Sequence, residues 1–234
     1  MYSDDVAHTW STPVRVPTSL HLGAVTAPPL ELVDGRLLFP TYDYLSATDR
    51  TFAVRLAVSN DQGATWDADM EISVPMPVEA GVGLVEPTLS ALDDDTILMV
   101  IRSHNHPANL AYASWSEDRG ATWSVPTTLD FAGHAPDIVN LDPDLDTGRR
   151  LITWGEHSVD NLATRPVRGR IVNGYDRKLR GATFTLHTNL NTVDMSYPSG
   201  VLLDSSTAFV IHYDAHRGEI GGNAVAIPNS EEKL

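Results

Sequence analysis

The 234 residues carry 31 acidic and 16 basic side chains, a net charge of −15, with 15 prolines, 16 glycines and no cysteine. That balance argues against nucleic acid and anionic membrane as partners, both of which need a basic stripe. The lack of thiols excludes a disulfide framework and a thiolate metal centre. The length suits one domain, 1–234. Pro and Gly break the chain into short apolar runs with no sustained 3.6-residue period, so the fold class is all-β. No apolar run approaches a membrane span and no signal peptide is visible, so a soluble protein of undetermined compartment is expected.

In chain order, one octapeptide punctuates the sequence. It reads SDDVAHTW at 3–10, SNDQGATW at 59–66 and SEDRGATW at 116–123, with a remnant GATF at 181–184. Its aromatic residues, Trp10, Trp66, Trp123 and Phe184, fall 56, 57 and 61 residues apart, a period that signals a repeat architecture. Within the phrase, an aspartate two residues after a serine is suited to accept turn amides, and the glycine supplies a positive φ. The Trp covers the hairpin. These aspartates therefore read as turn staples and not as catalysts.

Between the octapeptides the chain divides into strand-rich units. Residues 1–17 read as the end of a preceding unit, with TPVRV (12–16) as an outer strand. The unit at 18–78 holds LELV, RLLFPTY, FAVRLAVS and EISVP. The one at 83–130 holds PTLSAL (87–92), TILMVIRS, LAYASWS and SVPTTL. A third, 134–190, holds DIVNL (137–141), RLITWG, RIVNG and ATFTLH, and the last, 194–230, holds SGVLLD (199–204), TAFVIHYD and GNAVAIP. Units of four antiparallel strands repeated at this spacing are blades of a β-propeller. A ring left open at its ends exposes strand edges, so homo-oligomerisation through them is expected.

In such a blade the start of strand one, the end of strand two and the start of strand three share one edge. That edge collects Asp43, Glu86, Arg102, His104, His106, His134, Asp137, Glu156, His157, Arg165, Arg168, Asp194 and Tyr197, together with Tyr42, Tyr44, Tyr213 and Asp214. It is rich in groups that do acid–base work or hold an anion. The opposite edge receives the octapeptides and the acidic turns Asp93–Asp95 and Asp142–Asp146, which read as solvated hairpin tips. His104 and His106 stand two apart, but no third ligand accompanies them. No metal and no cofactor are expected.

The octapeptide is that of the Asp-box, or BNR, repeat, and the chain resembles the sialidase (neuraminidase) superfamily along nearly its whole length. EPTLSALDDDTILMVIRS (86–103) resembles the fourth blade of that family, where a Glu-Pro opens strand one and an Arg closes strand two. HAPDIVNLDPDLDTGRRLITWG is similar to the fifth blade, DMSYPSGVLLDSSTAFVIHYD (194–214) to the sixth, and GRLLFPTYDY (35–44) to the third. The resemblance implies about four blades present of a six-bladed parent. It further implies a retaining exo-glycosidase with Tyr197 as nucleophile and Glu86 as its activating partner, Arg102 clamping the carboxylate of an acidic, sialic acid-like sugar. Either Arg165 or Arg168 fills the second clamp position, with Arg165 preferred, and Asp43, His134 and Asp194 complete the candidate substrate-binding set. Sialic acid carries a carboxylate at its reacting carbon, so a neutral phenol avoids the repulsion that a carboxylate nucleophile would meet. The general-acid aspartate and the first clamp arginine of the family belong to a blade with no counterpart here. A non-catalytic glycan-binding or interaction propeller is therefore the alternative, followed by a polysaccharide lyase-type propeller.

Overall fold

The computed structural model describes residues 3, 5–142, 147–157, 164–188, 196–215 and 217–228. Among these there are only strands, with no helix, and so none long and apolar enough to cross a membrane. The first sheet contains β1 (Leu30–Glu31), β2 (Leu37–Tyr44), β3 (Phe52–Ser59) and β4 (Asp67–Ser73). The second contains β5 (Gly83–Ala91), β6 (Ile97–His104), β7 (Tyr112–Ser116) and β8 (Thr127–Thr128). In the third are β9 (Gly133–Asn140), β10 (Arg149–Glu156), β11 (Val167–Asn173) and β12 (Thr183–His187). The fourth has three strands among the described residues, β13 (Ser196–Asp204), β14 (Thr207–Asp214) and β15 (Glu219–Ala226). Each sheet is an antiparallel meander in chain order, and β2 packs on β5, β5 on β9 and β9 on β13. This is a β-propeller arc of four blades.

The apolar pattern explains the stacking. In β6 the run ILMVI is buried throughout because its two faces serve different neighbours. Ile97, Met99 and Ile101 join Leu38, Val54 and Leu56 of the first sheet. Leu98 and Val100 join Ile152, Trp154 and Val172 of the third. Each such side chain withdrawn from water is worth ~1.5–3 kcal/mol, so a strand buried on both sides has little tolerance for polar residues. β14 shows the contrast. Ala208 and Val210 pack with Val139, Leu151 and Ile171 of the third sheet, whereas Ile211, on the other face, is exposed. Among the described strands, packing runs in order from the first sheet to the fourth.

The three octapeptides close one rim with the same hydrogen bonds. In the second, Ser59 Oγ donates to Asp61 (2.9 Å) and accepts the Gly63 amide (2.8 Å), and Asp61 accepts the Thr65 amide (2.8 Å) and hydroxyl (2.6 Å). Ser3, Asp5 and Thr9 repeat the set, as do Ser116, Asp118 and Thr122. The glycine position takes φ 86° at Gly63 and 82° at Gly120, and Ala7 adopts φ 65° in its place. At Gly120 a Cβ would also stand 2.4 Å from Leu38 Cδ1, so this turn seats against the first sheet. The TPVRV segment (12–16), expected as an outer strand, belongs to no described sheet. An extended segment gains a ladder only from a neighbouring strand, and the described residues place none beside it.

Candidate functional site

On the opposite rim the inner strands begin earlier than the sequence predicts, at Gly83, Gly133 and Ser196 in place of 87, 137 and 199. The reason is a repeated X-Pro pair. Proline cannot donate to a ladder and reads as a strand break, yet Glu86-Pro87, Ala135-Pro136 and Tyr197-Pro198 lie within the strands at β-bulges. The register shifts there between Val85 and Thr88, between the partners of Thr153 and Gly155, and between Ser196 and Ser199. Bulges re-aim the side chains they carry. The residues before these prolines take φ values of 51°, 46° and 39°, a left-handed region that costs a non-glycine residue of order 1–3 kcal/mol.

The three bulges converge on one carboxylate. Glu86, only 4% exposed, accepts the Tyr197 hydroxyl (2.9 Å) and Arg102 Nη1 (2.8 Å) on Oε1. Its Oε2 accepts the Ala135 backbone amide (2.9 Å). A buried carboxylate needs such donors to offset its lost hydration. Its contact with the Tyr197 phenol places a base on the proton that must leave before that oxygen can attack. The Tyr197 ring stacks on Tyr213 with centroids 5.7 Å apart. Tyr42 faces the same group from the first sheet, and burial, then the Glu86 charge, raise its pKa against the opposing pull of Arg102.

Beside this group lies a cationic corner. Arg165 is buried, with Nη2 3.5 Å from His157 Nδ1, and its carbonyl accepts Ser196 Oγ (3.0 Å). Gly155 makes room for it, since a Cβ there would stand 2.9 Å from Ser196 Cβ and 3.2 Å from Arg165 Cδ. His134 stacks on His157 at 4.5 Å. Burial, then the charges of Arg102 and Arg165, push the His134 pKa down to about 2. His157 is also lowered, by burial first and then by Arg165 and Arg102.

The structure thus brings together Tyr197, Glu86, Arg102, His134 and Arg165. Arg168 lies elsewhere. It holds Glu156 through Nε (2.9 Å) and Nη2 (2.8 Å) and also bonds Thr185. That pair lines a groove of about 530 Å³ together with Asp130, Trp154 and Arg170. Asp43 accepts the amides of Leu22 (2.8 Å), Gly23 (3.1 Å) and Tyr44 (2.7 Å). Burial opposes its ionisation, but those three bonds outweigh it and lower its pKa, so Asp43 is a loop staple. Asp194 lies outside the described residues. His104 packs edge-on against Phe52, and His106 Nδ1 accepts the Ala108 amide at 3.1 Å, so the two rings serve separate contacts. Sequence reasoning placed His157 on this rim but not in the site, and it missed the Ala135 amide. The signal for the latter was Ala135-Pro136 standing where its neighbours have Glu86-Pro87 and Tyr197-Pro198.

Antiparallel blades stacked around a Tyr–Glu–Arg group whose glutamate is buried, with aspartate-stapled turns on the far rim, define a sialidase-like β-propeller. The BNR repeat-like domain matches residues 1–207, and the chain belongs to that family. Among solved structures, a protein of unknown function from Dyadobacter fermentans DSM 18053 is similar with a TM-score of 0.81 at 22% identity, over 97% of this chain and 63% of that one. The NanB sialidase from Streptococcus pneumoniae follows at 0.57 and 18%, over 85% of this chain and 30% of its own. An α-L-arabinanase from Penicillium chrysogenum gives 0.59 and 16%, over 83% and 60%. The chain therefore spans less than two thirds of the length of each, and at these identities the likeness concerns the fold. No curated protein matches the chain.

Proposed function

We propose that this propeller carries the nucleophile and the carboxylate clamp of a sialidase-like, retaining exo-glycosidase site acting on a terminal acidic sugar. The observation behind this reading is the Tyr197 hydroxyl bonded to Glu86 at 2.9 Å, with Arg102 on the same oxygen. Glu86 takes the phenolic proton as Tyr197 Oη bonds to the anomeric carbon and the bond to the leaving oxygen breaks. Water then cleaves the tyrosyl glycoside, losing its proton to solvent, while Glu86 returns the proton it took to the departing tyrosinate. Arg102 and Arg165 hold the sugar carboxylate, for which the guanidinium fork is suited. The leaving oxygen also needs a proton. Asp43 does not supply it from its staple, so aryl glycosides, whose leaving phenolates are weak bases, are the substrates expected to turn over.

The test is release of 4-methylumbelliferone from the α-ketoside of N-acetylneuraminic acid by the 234-residue chain. Tyr197→Phe should lower turnover by about 10³-fold or more while sugar affinity stays nearly constant. Turnover that survives in Tyr197→Phe sinks the reading. The commitment of Asp43 to three backbone amides favours a second reading, a glycan-binding propeller without catalysis. It expects binding of the free sugar with no turnover in either protein.

A further inference from the structure

Arg168, the candidate that the site does not use, lines a second concavity. On the third sheet Trp154 pairs with Arg168 and Ile152 with Arg170, and across β11 those arginines pair with Thr185 and Thr183 of β12. Cross-strand partners and every second residue along a strand share a face, so Ile152, Trp154, Glu156, Arg168, Arg170 and Thr183 lie on one side of the sheet. Ile152 and Trp154 pack with Leu98 and Val100 of the second sheet. Nearer the outer strands the same face turns polar, and there it borders the groove of about 530 Å³, whose remaining wall includes Ala108 and Leu110 ahead of β7.

The polar groups of this groove are held in place and balanced in charge. Arg170 bonds Asp130 (2.6 Å) and Thr183 (2.9 and 3.1 Å), and its guanidinium lies 5.2 Å from the centre of the Phe131 ring, which stacks on Trp154 at 4.1 Å. Arg168 puts both of its bonds to Glu156 on Oε2. Oε1 is thus left open among the described residues, on a side chain 30% exposed. Asp130 meets Arg170 through Oδ1, and its side chain is 69% exposed. Trp154 is 1% exposed, and its Nε1 has no hydrogen-bond partner among the described residues. Two guanidiniums and two carboxylates leave no net charge. What they leave is unused bonding, with two carboxylate oxygens that accept and one indole N–H that donates.

We propose that this groove binds a neutral sugar unit, at a place separate from the Tyr197 group and independent of the reaction assigned to it. An anion would meet the open oxygens of Glu156 and Asp130, and a cation would meet two guanidiniums. A purely apolar molecule would strip those oxygens of water and offer nothing in return. A sugar ring answers all three demands. Its hydroxyls donate to the carboxylates, an oxygen at the Trp154 wall accepts from the indole N–H, and its C–H face lies on Ala108 and Leu110. The volume falls within the ~300–1,000 Å³ of small-ligand sites. Because Arg168 and Arg170 are already fixed by their own partners, binding orders few side chains.

The experiment is saturation-transfer NMR and calorimetric titration of the full chain with the methyl glycosides of glucose, galactose, mannose and N-acetylglucosamine. At least one should bind with a dissociation constant on the order of 1 mM, unchanged by salt because no net charge is met. Glu156→Ala removes an acceptor and Ala108→Trp fills the groove. Each should weaken binding by about tenfold or more, with denaturation midpoints near that of the wild type to show that the chains are folded. Tyr197→Phe and saturating N-acetylneuraminate should leave the affinity unaltered. If none of the four glycosides binds, the proposal is overturned, and it is equally overturned if both groove variants bind as the wild type does. A glycoside displaced by N-acetylneuraminate sits in the Tyr197 site, which overturns the groove and leaves that site's reading standing. Glycoside binding by a chain that neither binds nor turns over the acidic sugar upholds the groove and sinks the other reading.

Discussion

The two rims of the propeller hold carboxylates by different means. On the octapeptide rim Asp5, Asp61 and Asp118 take their hydrogen bonds from residues no more than four positions away. On the other rim Glu86 takes its bonds from residues 16, 49 and 111 positions away. Both rims force non-glycine residues into positive φ, but in different settings. Gln62 and Arg119 do so in turns that belong to the staple, whereas Glu86, Ala135 and Tyr197 do so at bulges inside strands. A staple that its own sequence satisfies holds its shape wherever it occurs. A carboxylate site assembled from three sheets exists only when those sheets are stacked, and the strained bulges turn the phenol and the amide toward it.

The comparison is sharpest where one octapeptide has packing that another lacks. Trp123 is 7% exposed within the core between the first and second sheets, with Nε1 donating to the Gly120 carbonyl at 3.1 Å. Trp10 makes the same phrase but is 60% exposed. Trp123→Ala should therefore cost ~3–5 kcal/mol in chemical denaturation, and Trp10→Ala should stay within ~0.5 kcal/mol. Equal losses would mean that the tryptophan supports the turn itself and not the contact between sheets.

Locality also explains what the sequence disclosed. The octapeptides, the four units and the strand pairs were legible because each rests on neighbours in the chain. Glu86, Arg102 and Tyr197 were legible through resemblance, because Glu86-Pro87, Arg102 at the end of its strand and Tyr197-Pro198-Ser199 match that family's motifs, although Ser196 stands where those motifs have a glycine. The bulges were not, since a proline inside an apolar run reads as its boundary, and the Ala135 amide carries no side-chain signal. The sequence preferred Arg165 to Arg168 only by its spacing from the following strand. Three dimensions separate them by contact, where Gly155 admits one beside Ser196 and Glu156 binds the other.

Acid should take the rims apart in order. His134 is buried neutral, so an unfolded chain binds a proton there that the folded one does not. Its contribution to stability is present above the unfolded value of 6.5 and is lost as pH falls below it, by roughly 1.4 kcal/mol per pH unit. The octapeptide aspartates behave differently. Hydrogen bonds from Thr9 and Ser3, and from Thr65 and Ser59, lower Asp5 and Asp61 from 3.8, so their contribution persists to that pH and fades only below it. Denaturation midpoints followed from neutral pH downwards should show a first decline that His134→Gln flattens and a second that it leaves alone. A single decline confined to the lower range would show that His134 is charged in the folded protein.

The smallest effects test the strain itself. Ala7 holds the position of Gly63 and Gly120 at φ 65°, so Ala7→Gly should stabilise the chain by about 0.5–1 kcal/mol without altering sugar binding. Ala135 has a similar φ of 46°, but its methyl group is buried and its amide fixes Glu86. The relief of strain in Ala135→Gly is offset by the ~0.8 kcal/mol lost with a buried methyl, and stability should change by less than ~0.5 kcal/mol. What changes is the aim. A freed backbone lets the amide leave Oε2, so affinity for N-acetylneuraminate and any turnover should fall in Ala135→Gly while the denaturation midpoint holds. If both glycine variants gain stability and keep full affinity, the positive φ at Ala135 is a cost of the proline bulge alone, and the orientation of Glu86 depends on Arg102 and Tyr197.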